Sequence, residues 1–189
     1  MDKLFNFDLS NRSQLSQELL NLGISNFNDA LIYIQNLPYG RNSNRSDYSL
    51  ILKEQKGTCS TKHAFLAALA KQEGKSEIKL YVGIYKMYEK NTPGVSGVLE
   101  KWQLPYVPEA HCYLKINDTI VDVTRNNNSN ISFKSSLLFE EEILSHQIGD
   151  YKVMLHQTFL KSWLTSDTIL YDFKTLWQIR EACIRSLSK

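Results

Sequence analysis

An α+β fold with a small antiparallel sheet is predicted by three features of the sequence. Apolar residues recur at helical spacing before residue 75 and again after residue 170. Between these regions, residues 78–85 alternate between apolar side chains and other side chains, which is typical of a strand. This order of helices, strands and then helices favours an antiparallel sheet over the alternating strand–helix pattern of a parallel one.

The size and composition of the chain predict one domain that spans residues 1–189. The chain has 189 residues, of which 42% are hydrophobic, which suffices for one well-packed core rather than two. We expect the core at about 39–125, with helical extensions at 1–38 and 138–189. The formal net charge of +2 gives no electrostatic reason to expect nucleic acid or a membrane surface as a partner.

The cysteine count and the apolar runs predict a cytoplasmic protein. Three cysteines, at positions 59, 112 and 183, are too few for a disulfide framework, and the odd number suits a reducing compartment. The first residues lack the long apolar stretch of a secretory signal. No apolar run approaches the length of a membrane span.

The N-terminal third is predicted to be helical. Leu15–Leu22 and Phe27–Leu37 have helical spacing, with Asn26 as N-cap and Pro38 as stop. A polar loop follows at 39–45, and a short helix is expected at Tyr48–Leu52.

A further helix is predicted to begin at Cys59 and to end near Gly74, which is a good C-cap. After the strand at 78–85, residues 89–110 hold three prolines, two glycines and two aromatic residues without a sustained period. We therefore predict a long loop there, which in a compact domain usually has a function.

The remaining elements are two strands, a turn and helices. Strands are predicted at 111–116 and 119–124, and a turn at Asn126–Asn130. Leu138–Leu144 is predicted to be helical, and the type of element at Tyr151–Leu164 stays open. Tyr171–Leu187 is predicted to be a long amphipathic helix.

Cys59 is the candidate nucleophile. Its place after Thr58, a good N-cap residue, puts it in the first turn of a helix. The N–H groups of that turn have no partner within the helix and favour an anion, and the thiolate is the reactive form of cysteine. We therefore expect Cys59 to ionise more readily than the other two thiols.

His111 and Asp122 are the candidate partners of Cys59. A two-residue turn at Asn117-Asp118 pairs Tyr113 with Asp122 and puts His111 and Asp122 on a diagonal of one sheet face. From there Asp122 can orient the imidazole and stabilise its protonated form. The opposite face of the hairpin is almost wholly apolar: Cys112, Leu114, Ile116, Thr119, Val121 and Val123.

Other interpretations of these residues are open. Each of the three alone is more often structural than catalytic, and only their combination favours catalysis. His63, four residues after Cys59, is a rival base, but its helical stripe is apolar and no carboxylate partner is evident, which favours a packing role. A metal site formed by Cys59, His63, His111 and Cys112 is disfavoured because His111 and Cys112 are strand neighbours and point to opposite faces. We expect no metal and no organic cofactor.

Three segments together resemble the transglutaminase-like superfamily, a branch of the papain-like cysteine enzymes. They are Lys56-Gly57-Thr58-Cys59 opening a helix, Glu109–Leu114 with its histidine, and Ile120–Val123 with its aspartate. The resemblance covers about a third of the chain. It implies a transglutaminase-like or cysteine-proteinase-like core, in which N-terminal helices and the Cys59 helix pack on a small antiparallel sheet, followed by C-terminal helices.

The resemblance implies Cys59 as nucleophile, His111 as general base and acid, and Asp122 as the orienting residue. Ser60 and Tyr113 depart from the family pattern, which commonly has an aromatic residue after the cysteine and Trp two residues after the histidine. The expected reaction is acyl transfer or hydrolysis at an amide of a peptide or protein through a thioester. A catalytically inactive binding module and a protein cross-linking transglutaminase are the alternatives.

Four residues are weaker candidates for contacts with the substrate. The oxyanion is expected to bind the backbone N–H of Cys59 and one further donor, for which Gln55 is a candidate. Tyr113 is a candidate through its place near the histidine. Trp102 and Tyr106 lie in the long loop before His111, where they either contact the acyl donor or pack over the edge of the sheet.

Overall fold

The computed structural model describes residues 5–124, 133–166 and 169–187. The predicted turn at Asn126–Asn130 lies outside these residues. This part of the chain contains two 3-10 helices, at Phe133–Ser136 and Ser145–Ile148. The α-helices of the described chain are α1 (Gln14–Asn21), α2 (Phe27–Asn36), α3 (Leu50–Glu54), α4 (Cys59–Gln72), α5 (Ser96–Lys101), α6 (Asp150–Ser166) and α7 (Phe173–Ser186).

Four strands form an open antiparallel sheet with the order β3-β2-β1-β4. The predicted α+β class is therefore confirmed, while the transglutaminase-like core stays a prediction. The strands are β1 (Ile78–Met87), β2 (Val107–Ile116), β3 (Thr119–Val121) and β4 (Leu137–Ile143).

The hairpin of β2 and β3 has the predicted register from the turn as far as the pair Leu114–Val121, but the predicted pair Tyr113–Asp122 lies beyond the end of β3. Ile116 pairs with Thr119 across a two-residue turn, in which Asn117 and Asp118 both have positive φ, 45° and 66°. These two angles are those of a type I′ turn, whose twist suits a hairpin. The strand ends at Val121, however, and not at residue 124 as predicted.

The early end of β3 has a local cause in the side chain of Asp122. Its Oδ1 accepts hydrogen bonds from the backbone N–H of Thr124 at 2.9 Å and from the Thr124 hydroxyl at 2.5 Å. Such a side-chain turn offers the backbone an alternative to the sheet ladder and stops the strand.

Two predictions for the second half of the chain are wrong. Of Leu138–Leu144, predicted to be helical, all but Leu144 belong to strand β4, because the sheet neighbour β1 overrides the helix propensity of the three glutamates. The loop predicted at 89–110 contains the short helix α5 and the first four residues of β2. The open segment Tyr151–Leu164 is part of helix α6.

The chain divides into two compact units, each assembled from separate pieces of sequence. The first unit comprises the described parts of 1–82, 112–127 and 141–149, and the second comprises those of 83–111, 128–140 and 150–189. Strands β1, β2 and β4 each have some residues in the first unit and the others in the second. The prediction of a single domain stays a prediction.

Helix α4 is the centre of the first unit. All twelve residues from Cys59 to Ala70 are buried, and the helix packs against α2, α3 and the 3-10 helix at Ser145–Ile148. Because the buried residues include four alanines, neighbouring elements can approach the helix closely on every side.

Helix α7 packs against α5 and α6 in the second unit. Its buried residues Leu176, Ile179 and Cys183 lie within an apolar cluster. The other buried members are Tyr85, Met87, Val95, Leu99, Leu104, Val107, Leu160 and Trp163. Within residues 5–124, 133–166 and 169–187, no helix is long and apolar enough to cross a membrane.

Candidate active site around Cys59

Cys59 is the first residue of α4, as the sequence predicts. Its side chain is buried, with the residue 7% exposed, and its Sγ lies 3.9 Å from the Ser60 hydroxyl oxygen. Thr58 precedes it in the extended conformation of an N-cap, and the Thr58 N–H donates to Thr61 Oγ1 at 3.0 Å. The thiol therefore lies at the end of a helix where the backbone dipoles favour negative charge.

A buried asparagine fixes the segment that leads into α4. Asn42 accepts a hydrogen bond from Thr61 Oγ1 at 2.9 Å and donates to the Lys56 carbonyl at 3.0 Å. It also donates to the Glu54 carboxylate at 3.1 Å. Hydrogen bonds from Ser43 lower the pKa of Glu54, so this acceptor stays ionised. The start of the helix is thus held from both sides of Cys59.

Gly57 allows the chain to enter the helix closely. A Cβ at this position would lie 2.8 Å from Ile51 Cδ1 and 3.1 Å from Lys62 Cγ, so a larger residue here would require these two side chains to shift. Packing against Ile51 and Lys62 therefore favours glycine in the Gly-Thr-Cys segment.

His63 is fully buried and bridges two backbone groups. Its Nε2 lies 2.9 Å from the Val123 backbone nitrogen, and its Nδ1 lies 2.7 Å from the Cys59 carbonyl oxygen. A backbone N–H can only donate, so Nε2 must accept and Nδ1 must carry the proton. In this geometry His63 is a neutral imidazole that joins α4 to the segment after β3.

The carboxylate of Asp122 lies beside His63, where the sequence analysis found no partner. Asp122 Oδ1 is 3.4 Å from His63 Nε2, and the side chain of Asp122 is 30% exposed. The expectation that His63 has no carboxylate neighbour is therefore wrong. The two residues are 59 positions apart, and only the fold brings the segment after β3 to α4.

Lys62 is fully buried as well, and its ammonium is surrounded by backbone oxygens. Its Nζ donates to the carbonyls of Gln35 at 3.0 Å, Leu37 at 2.7 Å and Thr124 at 3.1 Å. These contacts join the end of α2 and the segment after β3 to the first turn of α4. Sequence reasoning missed this role, since a lysine is ordinarily exposed.

His111 lies in β2 and belongs to the second unit, whereas Cys59 and Asp122 belong to the first. Its half-buried ring is 4.7 Å from the ring centroid of Phe133 and 6.0 Å from that of Tyr85. These aromatic neighbours hold the imidazole edge-on. The action of His111 and Asp122 on Cys59 stays a prediction.

Gln55 ends helix α3 in the left-handed conformation, with φ 50°. Its Nε2 donates to the Leu52 carbonyl at 2.5 Å and to the Tyr33 hydroxyl at 3.0 Å. Binding an oxyanion would require it to release one of these bonds. Tyr113 is fully buried and its ring lies 6.1 Å from that of Tyr81.

Trp102 and Tyr106 both pack against the apolar cluster of the second unit. The Trp102 ring lies 5.5 Å from that of Tyr171, in an edge-to-face arrangement. The Tyr106 hydroxyl accepts a hydrogen bond from Trp163 Nε1 at 3.1 Å. These contacts favour the packing alternative for both residues over the substrate contact.

Cys112 and Cys183 are completely buried, as the apolar face of the hairpin predicts for Cys112. Burial and the nearby Glu109 raise the pKa of the Cys183 thiol to about 11, so it is protonated at neutral pH. Cys183 is therefore an internal standard for an unreactive thiol.

The chain matches no protein-family model, and neither the curated proteins nor the solved structures compared with it give a match. The geometry around Cys59 is consequently what bears on function.

Proposed function

We propose that the chain is a thiol-dependent enzyme that acts on amide bonds of peptides or proteins, with Cys59 as nucleophile. The observation that supports the proposal is the place of Cys59 at the first residue of a 14-residue helix whose start is fixed by Thr58, Thr61 and Asn42. A thiol at that position is favoured as a thiolate. The resemblance to the transglutaminase-like superfamily supplies the roles of His111 and Asp122.

The proposed reaction has two halves. The Cys59 sulfur attacks the amide carbonyl carbon, and the backbone N–H of Cys59 contributes to binding the oxyanion. The C–N bond then breaks, and the departing amine takes a proton from protonated His111, which leaves a thioester on Cys59. Water or a second amine attacks the thioester and gives a proton to His111, which releases the product and restores the thiolate. Asp122 keeps the imidazole oriented and stabilises its charged form.

The test is turnover of peptide amide and isopeptide substrates, with and without a primary amine as acceptor. We expect Cys59→Ala to abolish turnover, and His111→Gln and Asp122→Asn each to lower kcat/KM at least about 100-fold. Cys183→Ala is the matched control and should keep the wild-type rate. Turnover that survives in Cys59→Ala contradicts the proposal.

A non-catalytic binding module on the same fold is the second candidate. The observation that favours it is the burial of Cys59, which is only 7% exposed. In that case none of the peptide amide and isopeptide substrates is turned over, and Cys59 behaves as a small apolar residue of the core. For either function, the odd cysteine count supports the proposal of a reducing, cytoplasmic location.

A further inference from the structure

Two consecutive residues of α4 each bind a backbone group of one of the two residues that follow Asp122. His63 Nε2 accepts from the Val123 N–H, and Lys62 Nζ donates to the Thr124 carbonyl. Both side chains are fully buried. We call these two side chains, with the Val123 N–H and the Thr124 carbonyl, the polar clamp.

Burying the polar groups of the clamp costs free energy. This indicates that the clamp serves to position the segment after Asp122. Buried polar and charged groups lose their hydration, and apolar residues of similar volume often stabilise a protein as well or better. Hydrogen bonds, unlike apolar contacts, fix a segment in one direction and at one distance. The polar clamp therefore fixes the direction in which the chain continues after β3, which ends at Val121.

We propose that His63 is a positioning residue, which acts through the polar clamp to hold Asp122 in place relative to the first turn of α4. Asp122 directly precedes Val123, and its Oδ1 lies 3.4 Å from His63 Nε2. The other ring nitrogen donates to the carbonyl of Cys59 itself. His63 therefore joins the nucleophile's own peptide to the segment of the orienting carboxylate. This inference rests on the proposed function of Cys59 and Asp122.

The hydrogen bonds of His63 distinguish a positioning residue from a catalytic base. Protonation at Nε2 would put two donors face to face, the ring N–H and the Val123 N–H, and the clamp would open. His63 accepts from the Val123 N–H, and so positions Asp122 through the clamp, only while it is a neutral imidazole, because a protonated Nε2 would donate to Asp122 Oδ1 instead, 3.4 Å away. A neutral side chain with one donor and one acceptor can therefore replace it, whereas a base must gain and lose a proton.

The experiment compares His63→Gln, which keeps an amide donor and acceptor, with His63→Leu, which keeps neither. His146→Gln, at an exposed histidine of the same unit, is the matched control. Two quantities are measured in each variant: the hydrogen-exchange rate of the Val123 amide, and the alkylation rate of Cys59 by iodoacetamide at pH 6. Thermal unfolding is recorded in parallel to show that each variant is folded.

In His63→Leu we expect Val123 to exchange about tenfold faster or more, and Cys59 to be alkylated about tenfold more slowly. In His63→Gln both rates should stay within about threefold of the wild-type rates, and His146→Gln should change neither rate. Unchanged Val123 exchange in His63→Leu would overturn the clamp. Loss of Cys59 reactivity in His63→Gln as large as in His63→Leu would overturn the positioning role in favour of a titrating base.

Failure of the proposed function gives a different result. Cys59 would then be alkylated slowly already in the wild type, while Val123 exchange would still respond to His63→Leu. If the folded His63→Leu protein cannot be obtained, the ring ¹⁵N shifts of the wild type decide the clamp, since they identify the protonated nitrogen. A proton on Nδ1 agrees with the clamp, and a proton on Nε2 overturns it.

Discussion

The ammonium of Lys62 is buried at the first turn of α4, the turn that begins with Cys59. This burial could not be predicted from the sequence. The start of α4 at Cys59 was predictable because capping is local: Thr58 and its neighbours suffice. The partners of Lys62 lie 25, 27 and 62 positions away, and the carboxylate beside His63 lies 59 positions away. No pattern of spacing within one helix indicates such partners.

Replacing Lys62 by methionine is expected to lower the free energy of unfolding by about 3 kcal/mol, because one buried and two partly buried hydrogen bonds to carbonyl groups are lost. Urea unfolding measures the change. The control is Lys71→Met at an exposed position of the same helix, which should change stability by less than about 0.5 kcal/mol. Equal effects of the two substitutions would show that the ammonium of Lys62 is not buried in the folded protein.

At the level of elements, short-range patterns were reliable and pairing partners were not. The alternation in β1, the N-cap of α2 and the register of the β2–β3 hairpin all follow from neighbouring residues. The three glutamates of β4 suit a helix, the element that the sequence predicts there, whereas its strand form depends on pairing with β1, which lies far earlier in the chain. Contacts over such separations also decided that Trp102 and Tyr106 pack in the second unit.

The hairpin turn gives a prediction at this scale. Asp118 has φ 66°, a conformation that glycine adopts without steric cost. We expect Asp118→Gly to raise the free energy of unfolding by about 0.5 kcal/mol and Asp118→Val to lower it by about 1–2 kcal/mol. Chemical denaturation of both variants measures the difference. The opposite order of stability would contradict a type I′ turn.

At the scale of the whole molecule, buried charges are expected to make stability depend on pH. Burial lowers the pKa of His156, whose Nε2 lies 2.9 Å from the Pro108 carbonyl oxygen. Burial acts to raise the pKa of Glu109, but its ion pair with Arg180 outweighs this and lowers it. Both groups therefore bind protons more readily in the unfolded chain than in the folded protein.

The two groups act in different pH ranges. The stability that depends on His156 is complete above its unfolded pKa near 6.5 and is lost as the pH falls below that value, by at most about 1.4 kcal/mol per pH unit. The stability that depends on Glu109 is lost at lower pH. It starts to fall below the unfolded pKa near 4.5 and continues to fall until the pH has passed the lowered pKa of the folded protein. Urea midpoints of the wild type and of His156→Gln at pH 7.5 and 5.5 test the first range. The wild type should lose stability over this interval, and His156→Gln should lose distinctly less; parallel losses would contradict the assignment.

The central claim, that Cys59 is an activated nucleophile, is tested most directly by the rate at which each thiol reacts with iodoacetamide at pH 6. The three cysteines are followed separately by peptide mass spectrometry, and the same chain unfolded in urea gives the rate of an ordinary thiol. We predict that Cys59 in the folded protein reacts about 100-fold faster than in the unfolded chain, while Cys112 and Cys183 react more slowly than there. A folded Cys59 that reacts no faster than the unfolded one, or a faster Cys112, would contradict the account.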